Sequence, residues 1–526
     1  MSWRQVDQLP LLALAIIGII FIRRLLSTLF QDRDQAQVWA KLETVNVPSS
    51  GIFSWTRAVV GSILSIAQNT HDGYEKICKV KDRPFVLPTM WTGGAVVVLP
   101  PSLLHLLNRP DSELSGFRAL VETIQLPYMI SDRDIYENVI HFDVIRKTLT
   151  KKDVIGSLAA TTAEEVDVAF RESWGTAEQW TTVNGWDACG RIITRAALRI
   201  LIGLPLCRDE MLLEQSRLYA NSLFAGTAII NCLPPFVRPL VGSLLAVPAK
   251  YYQARCQRLL VPFVEKRIRM WKESKEGDNN DFLQWLIPKC AQAGPEQLEP
   301  KKIAMRLLAL NTMFIFAMGY VFAHSVLDLY GSPLESKNEF LTGLEAECKR
   351  VSTKHHGLST KEAVDSLYRV DSAIRESMRI SDVGVTSLPL DVVSGQVDLG
   401  NGIHIPPGVR MVFPTQPIHL DPDYHEYPLR FDAFRFSRKF EGLLESDQQP
   451  GERELLTSTT KSFLAFGYGR HGCPGRWFVA QTIKQALAYV ILNYDVEITG
   501  KPIKRKALLN MMLPPTDAQI RIRRKS

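Results

Sequence analysis

The stretch that decides the fold is F-L-A-F-G-Y-G-R-H-G-C-P-G-R-W-F-V-A-Q, residues 463–481. Gly467, Gly469 and Gly472 fall within six positions. Glycine alone enters left-handed backbone cheaply, so the chain here turns tightly around something flat or brings its N–H groups close to an acceptor. Cys473 follows at once and precedes Pro474 and Gly475, where a helix can begin because proline is tolerated at the first helical position. A sulfur placed there faces free N–H groups and the positive end of the helix dipole, which favours thiolate over thiol. Held rigidly and shielded by Phe466, such a sulfur suits an axial ligand of haem iron that pushes electron density toward bound dioxygen.

The same glycines also spell G-x-G-x-x-G, the fingerprint of dinucleotide-binding folds. That reading fails on context. The match lies too near the C-terminus for a βαβαβ unit to follow, and residues 463–466 are too short for the strand that must precede it.

Outward from the cysteine, residues 466–475 resemble the haem-binding signature of the cytochrome P450 superfamily, F-x-x-G-x-x-x-C-x-G. Upstream, Glu376 and Arg379 in A-I-R-E-S-M-R share a helix face. Alone, that spacing fits a surface ion pair worth a few tenths of a kcal/mol. Followed by P-L-R-F-D-A-F-R-F at 428–436 and then by the cysteine signature, the pair resembles the family's buried E-x-x-R network, with Arg435 as third member locking the loop under the haem. V-V-V-L-P-P at 96–101 resembles the early part of filamentous-fungal secondary-metabolism members. The charge-poor run at 307–323 reads from its residues as a buried central helix rather than a membrane span, because it carries Asn311, Thr312 and Gly319 and its flanks look globular. Residues 310–329 resemble the family helix that covers the distal face of the haem.

The resemblance implies a mainly α fold with small β-sheets (α+β), the cytochrome P450 fold. It implies haem b (iron protoporphyrin IX), with Cys473 on the metal and Phe466, Gly469, His471 and Gly475 about the cofactor. Met313, Phe314, Ala317 and Met318 are expected toward substrate or dioxygen, with Ala317 and Met318 at the reacting end of the pocket. The implied activity is monooxygenation of an apolar small molecule, a terpenoid, alkaloid or polyketide, fed with electrons by NADPH-cytochrome P450 reductase. Arg470 and Arg476 are candidates to attract that acidic partner.

Three departures stand out. Where relatives carry an acid or amide and a threonine in the central helix, this chain aligns Phe316, Ala317 and Met318, with no hydroxyl. Proton delivery must then come from substrate or water, or the chemistry is an isomerisation, dehydration or cyclisation that does without it. A non-catalytic haem-binding protein is the remaining alternative. The family's arginine two residues before the cysteine is His471, and the arginine of the following strand aligns with Leu390; His141 and Arg146 are possible replacements.

Composition agrees with a large helical enzyme. The 526 residues are 46% hydrophobic and 22% charged, ordinary globular values that exclude a disordered chain. Lys and Arg number 62 against 55 Asp and Glu, a net charge of +7 spread along the chain, which does not suggest nucleic-acid binding. The eight cysteines are scattered, without a C-x-x-C pair, as expected of reduced thiols.

At the N-terminus Leu9–Ile22 is apolar and is followed by Arg23 and Arg24. It is shorter than the roughly 20 residues that cross a bilayer, but Trp3 and the arginine pair extend its reach. The expectation is a single-pass anchor over residues 1–30 in the endoplasmic reticulum membrane, with a cytosolic catalytic domain over 31–526. Residues 223–247 are apolar but broken by Pro234, Pro235, Arg238 and Pro239. They read as a helix pair with a kinked connection, as a second membrane contact or as a pocket lid. Residues 273–300, polar and rich in Asn, Gly and Pro, read as a surface loop.

Overall fold

The computed structural model describes residues 38–48, 53–91, 94–274, 280–439, 441, 453–500 and 504–526. The expected anchor over 1–30 lies outside them. The principal helices are α1 (Ser54–Gly73), α2 (Gly116–Thr123), α3 (Lys152–Ser173), α4 (Gly185–Leu201), α5 (Glu210–Cys232), α6 (Arg238–Leu245), α7 (Val247–Ser274), α8 (Phe282–Ala293), α9 (Pro300–Tyr330), α10 (Leu334–His355), α11 (Tyr368–Ile380) and α12 (Arg476–Asn493). The residues near 160–174, 188–202 and 250–272, which read as amphipathic helices, fall on α3, α4 and α7, and those near 361–380 on a short helix at Lys361–Asp365 followed by α11.

Among the described residues the strands form small sheets, as expected. The largest joins β1 (Glu43–Thr44), β2 (Phe85–Thr89), β3 (Gly94–Val98), β4 (Leu114–Ser115), β6 (Ser387–Val392) and β9 (Arg410–Phe413) in the order β1-β2-β3-β9-β6-β4. A second pairs β10 (Tyr494–Thr499), β13 (Gln519–Arg524) and β5 (Thr181–Asn184). Two-stranded ribbons join β7 (Val397–Asp398) to β8 (His404–Ile405) and β11 (Ala507–Leu508) to β12 (Met511–Met512).

Helix α9 is the axis. It is long and apolar enough to cross a membrane by length and composition, yet 72% of its most apolar window is buried inside the protein. It packs on α4, α5, α7 and α11, and close approach to α4 is permitted because Gly319 meets Gly190. A helix apolar on every side is what such a position requires.

The span 273–300 is not simply a loop. After the turn at Asp281, whose side chain caps Gln284 N–H, α8 buries Phe282, Leu283, Leu286, Ile287 and Cys290. That spacing is helical, and the flanking Asn, Gly and Pro residues obscured it. Leu223–Val247 does fold as two helices, α5 and α6, joined through the prolines.

Candidate active site

Helix α11 carries three arginine and glutamate side chains with no exposed surface: Arg375, Glu376 and Arg379. Glu376 accepts two hydrogen bonds from Arg379, Nε at 2.7 Å and Nη2 at 2.8 Å. Arg435 Nε donates to the same carboxylate at 3.0 Å and the Asp432 N–H at 3.2 Å. Outward, Arg379 Nη1 donates to the His419 carbonyl at 2.7 Å, and Arg435 Nη1 to the Glu426 carbonyl at 2.6 Å. A buried carboxylate with its lone pairs filled in this way meets the condition under which a desolvated ion pair is tolerated.

Two side chains that sequence reasoning passed over tie this network to the cysteine loop. Arg375, directly before Glu376, donates to the carbonyls of Leu455 at 2.6 Å and Ser458 at 2.8 Å. Its guanidinium lies 3.8 Å from the centre of the Phe463 ring, and burial pushes its pKa down to about 10. His419 accepts the Leu464 N–H at 2.8 Å on Nε2 and stacks on Phe463, so its neutral form carries the proton on Nδ1. The only sequence signal for His419 is its place in I-H-L-D-P, between β9 and the 428–436 segment.

Past Phe463 the loop doubles back on itself. Gly467 has φ +81°, and a Cβ there would come within 2.4 Å of the His471 carbonyl. Gly469 is left-handed too, against the Asn108 side chain. The Cys473 N–H closes the loop on the Phe466 carbonyl at 2.7 Å. Arg476 turns back onto the loop, donating to the Cys473 carbonyl at 2.8 Å and to Thr457 at 3.1 Å. It therefore braces the cysteine loop. Arg470 stays exposed, over the Asn108 carbonyl.

The expected electrostatics of Cys473 need revision. The N–H groups of Gly475 and Arg476 do favour the thiolate, but burial outweighs them and raises the thiol pKa. The helix start alone does not ionise this sulfur; a bound cation would, because metal ligation displaces the thiol proton. His471 is half-buried against Gly116 at the start of α2, and its pKa is lowered, first by burial and then by Arg470 and Arg146. Arg146 thus acts on this neighbourhood. His141 is buried beside Arg306 of α9, 3.3 Å away. Leu390 is fully buried in the sheet interior.

A haem fits these residues on two observations. Gly475 is buried, yet a Cβ built on it would meet no protein atom within 4 Å, so space for a flat group lies beside the cysteine. Among the described residues no group of three or more His, Cys, Asp or Glu could hold a metal. A metal at Cys473 would need most of its ligands from a prosthetic group.

Between α9, the large sheet and the start of the cysteine loop lies a cavity of about 340 Å³, within the range of small-molecule sites. Leu87, Val96, Phe224, Val412 and Leu464 give it an apolar wall, and Ser381, Asp382 and Arg410 a polar edge. Helix α9 contributes Val321. This fixes the helix phase that the sequence left open. Met318 is completely buried, and Phe314 packs against Phe478 of α12. Met318 and Phe314 therefore belong to the core, while Ala317 and Met313, one and two turns before Val321, are exposed on its face. Phe316 stacks on Phe224 with ring centres 4.0 Å apart.

A helical fold with small sheets, a single cysteine on a closed loop and a buried E-x-x-R network define the haem-thiolate class. The chain belongs to the cytochrome P450 family, whose model matches residues 57–522. It is 35% identical over 492 residues to the cytochrome P450 monooxygenase gloP of Glarea lozoyensis, covering 90% of this chain and 89% of that one. It is also similar to the cytochrome P450 monooxygenases htyF of Aspergillus rugulosus (32% identical; 95% and 75% covered) and okaG of Penicillium ochrochloron (30%; 87% and 88%).

Proposed function

We propose that this chain is a haem-thiolate monooxygenase that inserts one oxygen atom into an apolar small molecule of fungal secondary metabolism, in the terpenoid, alkaloid or polyketide range. The observation that carries the reading is the closed loop that presents Cys473 beside the open space at Gly475, with the start of that loop, Leu464 and Ala465, lining a largely apolar cavity. Cys473 would hold haem b, with Phe466, Gly469, His471 and Gly475 around it, and Glu376, Arg379 and Arg435 would hold the loop. When bound, the haem supplies activation of dioxygen. The protein's part is to keep the loop rigid through Arg375 and His419, to exclude water with the wall of Phe224, Val412 and Leu464, and to set the substrate against the Ala317–Val321 face of α9.

NADPH-cytochrome P450 reductase is the proposed electron donor, with Arg470 as an exposed charge on the cysteine loop. Attachment to the endoplasmic reticulum membrane is supported by the Leu9–Ile22 run and by the surface of α6, where Leu240 and Leu244 are 80% and 71% exposed beside exposed Val247. A second reading, a haem-thiolate isomerase, dehydratase or cyclase, is favoured by Val321, which puts no hydroxyl from α9 into the cavity. The test is turnover of apolar metabolites with reductase, NADPH and heavy-isotope dioxygen. A product carrying one heavy oxygen supports monooxygenation; a rearranged product formed without dioxygen or reductant refutes it.

A further inference from the structure

The central helix offers the cavity Val321, which cannot donate or relay a proton. Monooxygenation nonetheless consumes protons: one substrate molecule, one dioxygen, two electrons and two protons yield the oxygenated product and one water. The cavity edge carries a hydroxyl that is hydrogen-bonded toward solvent. Ser381, 4% exposed, lines the cavity just beyond the end of α11. Its hydroxyl donates to Asp328 Oδ2 at 2.9 Å and accepts from Arg505 Nε at 2.7 Å. Asp328, on α9 and buried, also accepts from Ser377 at 2.7 Å and is paired with Arg505 through its other oxygen. The Arg505 side chain is about one-third exposed. A continuous hydrogen-bonded line therefore runs from solvent at Arg505, through Asp328, to the cavity at Ser381.

A second observation marks the same place. His324, one helical turn before Asp328, is 2% exposed, and neither ring nitrogen has a protein partner. Its ring lies against Tyr320 at 4.4 Å and feels the charges of both Asp328 and Arg505. Two orphaned imidazole nitrogens cost free energy unless water reaches them, so the neighbourhood of this line is where water is expected.

Resting on the monooxygenase reading, we propose that Arg505, Asp328 and Ser381 form the proton entry of this enzyme, in place of a central-helix hydroxyl. A hydroxyl relays by accepting one proton as it gives up another. At rest the single Ser381 proton points to Asp328, because Arg505 occupies its acceptor side. Delivery starts when Asp328 takes a proton from solvent water beside Arg505. The Ser381 hydroxyl then turns its proton from Asp328 to the cavity. That O–H bond breaks toward an acceptor in the cavity as a new O–H bond forms with the proton carried by Asp328, and the hydroxyl again donates to Asp328. One proton leaves solvent, one enters the cavity, and all three residues return to their starting states with no electron moved among them.

Two experiments test this. In the haem-loaded enzyme with reductase, NADPH and dioxygen, electron pairs are partitioned between water or product and released hydrogen peroxide. Ser381→Ala should cut the water-and-product share by on the order of tenfold, below the hundredfold of losing a general acid outright because water partly bridges the gap. Ser381→Thr should behave as wild type, and Val321→Thr added to Ser381→Ala should restore the partition, a rescue that a purely structural clamp would not show. An unchanged partition in Ser381→Ala overturns the route while leaving the monooxygenase reading intact. Failure to consume NADPH and dioxygen at all overturns both.

The second experiment needs no turnover. Infrared difference spectra of Arg505→Met against Asp328→Asn,Arg505→Met, taken at falling pH, isolate the band of the protonated Asp328 carboxyl. In deuterated buffer that band should shift within seconds. A carboxyl that stays unexchanged for hours is sealed from solvent and sinks the proposal.

Discussion

Glu376→Gln is the perturbation whose cost is best defined by the geometry. The carboxylate has no exposed surface and receives four donors, three of them guanidinium N–H groups. The amide keeps the shape but removes the charge and replaces one acceptor by a donor aimed at a guanidinium. Arg379, itself fully buried, is left without a counter-ion. Breaking a buried pair from one side costs about 3–5 kcal/mol, against about 5–15 kcal/mol for a whole domain. Most of the cost is the stranded cation, so Glu376→Gln,Arg379→Met should be less destabilised than Glu376→Gln alone. Urea unfolding followed by tryptophan fluorescence, read beside the fraction of protein that retains haem, measures both effects. A loss under about 1 kcal/mol for Glu376→Gln, or a double variant worse than the single, would refute the reasoning.

Three further outcomes are expected. Gly475→Val should leave the thermal stability of haem-free protein nearly unchanged, since its Cβ meets no protein atom, but should abolish haem retention; equal haem content in the variant would contradict the fit. Arg375→Lys keeps the charge but lacks the planar fork that serves two carbonyls and the Phe463 face; a loss of about 2–3 kcal/mol and faster protease cleavage near residues 453–463 should result. Burial holds His141 and His425 at about 3 and His324 at about 4, below the unfolded value of 6.5. The unfolded chain therefore binds more protons in between, and stability falls as pH drops from 6.5 toward 4, each histidine adding up to about 1.4 kcal/mol per pH unit. Denaturation midpoints across that range should show the slope, and His324→Phe should flatten it.

What the sequence disclosed depended on whether the signal was local. The cysteine loop was legible because backbone conformation fixes its glycines: Gly467 cannot carry a Cβ within 2.4 Å of a carbonyl. The Glu376–Arg379 spacing was legible as a helix face, and the later segments gave it meaning. The phase of α9 was not, because a run apolar all round has no polar face to orient it; Met318 and Val321 look alike in sequence and differ only by what packs on α4, α5 and α11. Arg375 and His419 act through contacts more than forty residues away in the chain, which no periodicity reports. Arg476 shows the same limit: its position next to the site suggested a docking charge, and did not announce the hydrogen bond it makes to the cysteine's own carbonyl.

The most direct measurement is the absorption spectrum of the reduced, carbon-monoxide-bound protein, wild type beside Cys473→Ser. The account predicts the strongly red-shifted Soret band of a thiolate-ligated haem in the wild type and its disappearance in the variant. A variant that keeps that band, or a wild type loaded with porphyrin that never shows it, would contradict the assignment of Cys473 as the iron ligand.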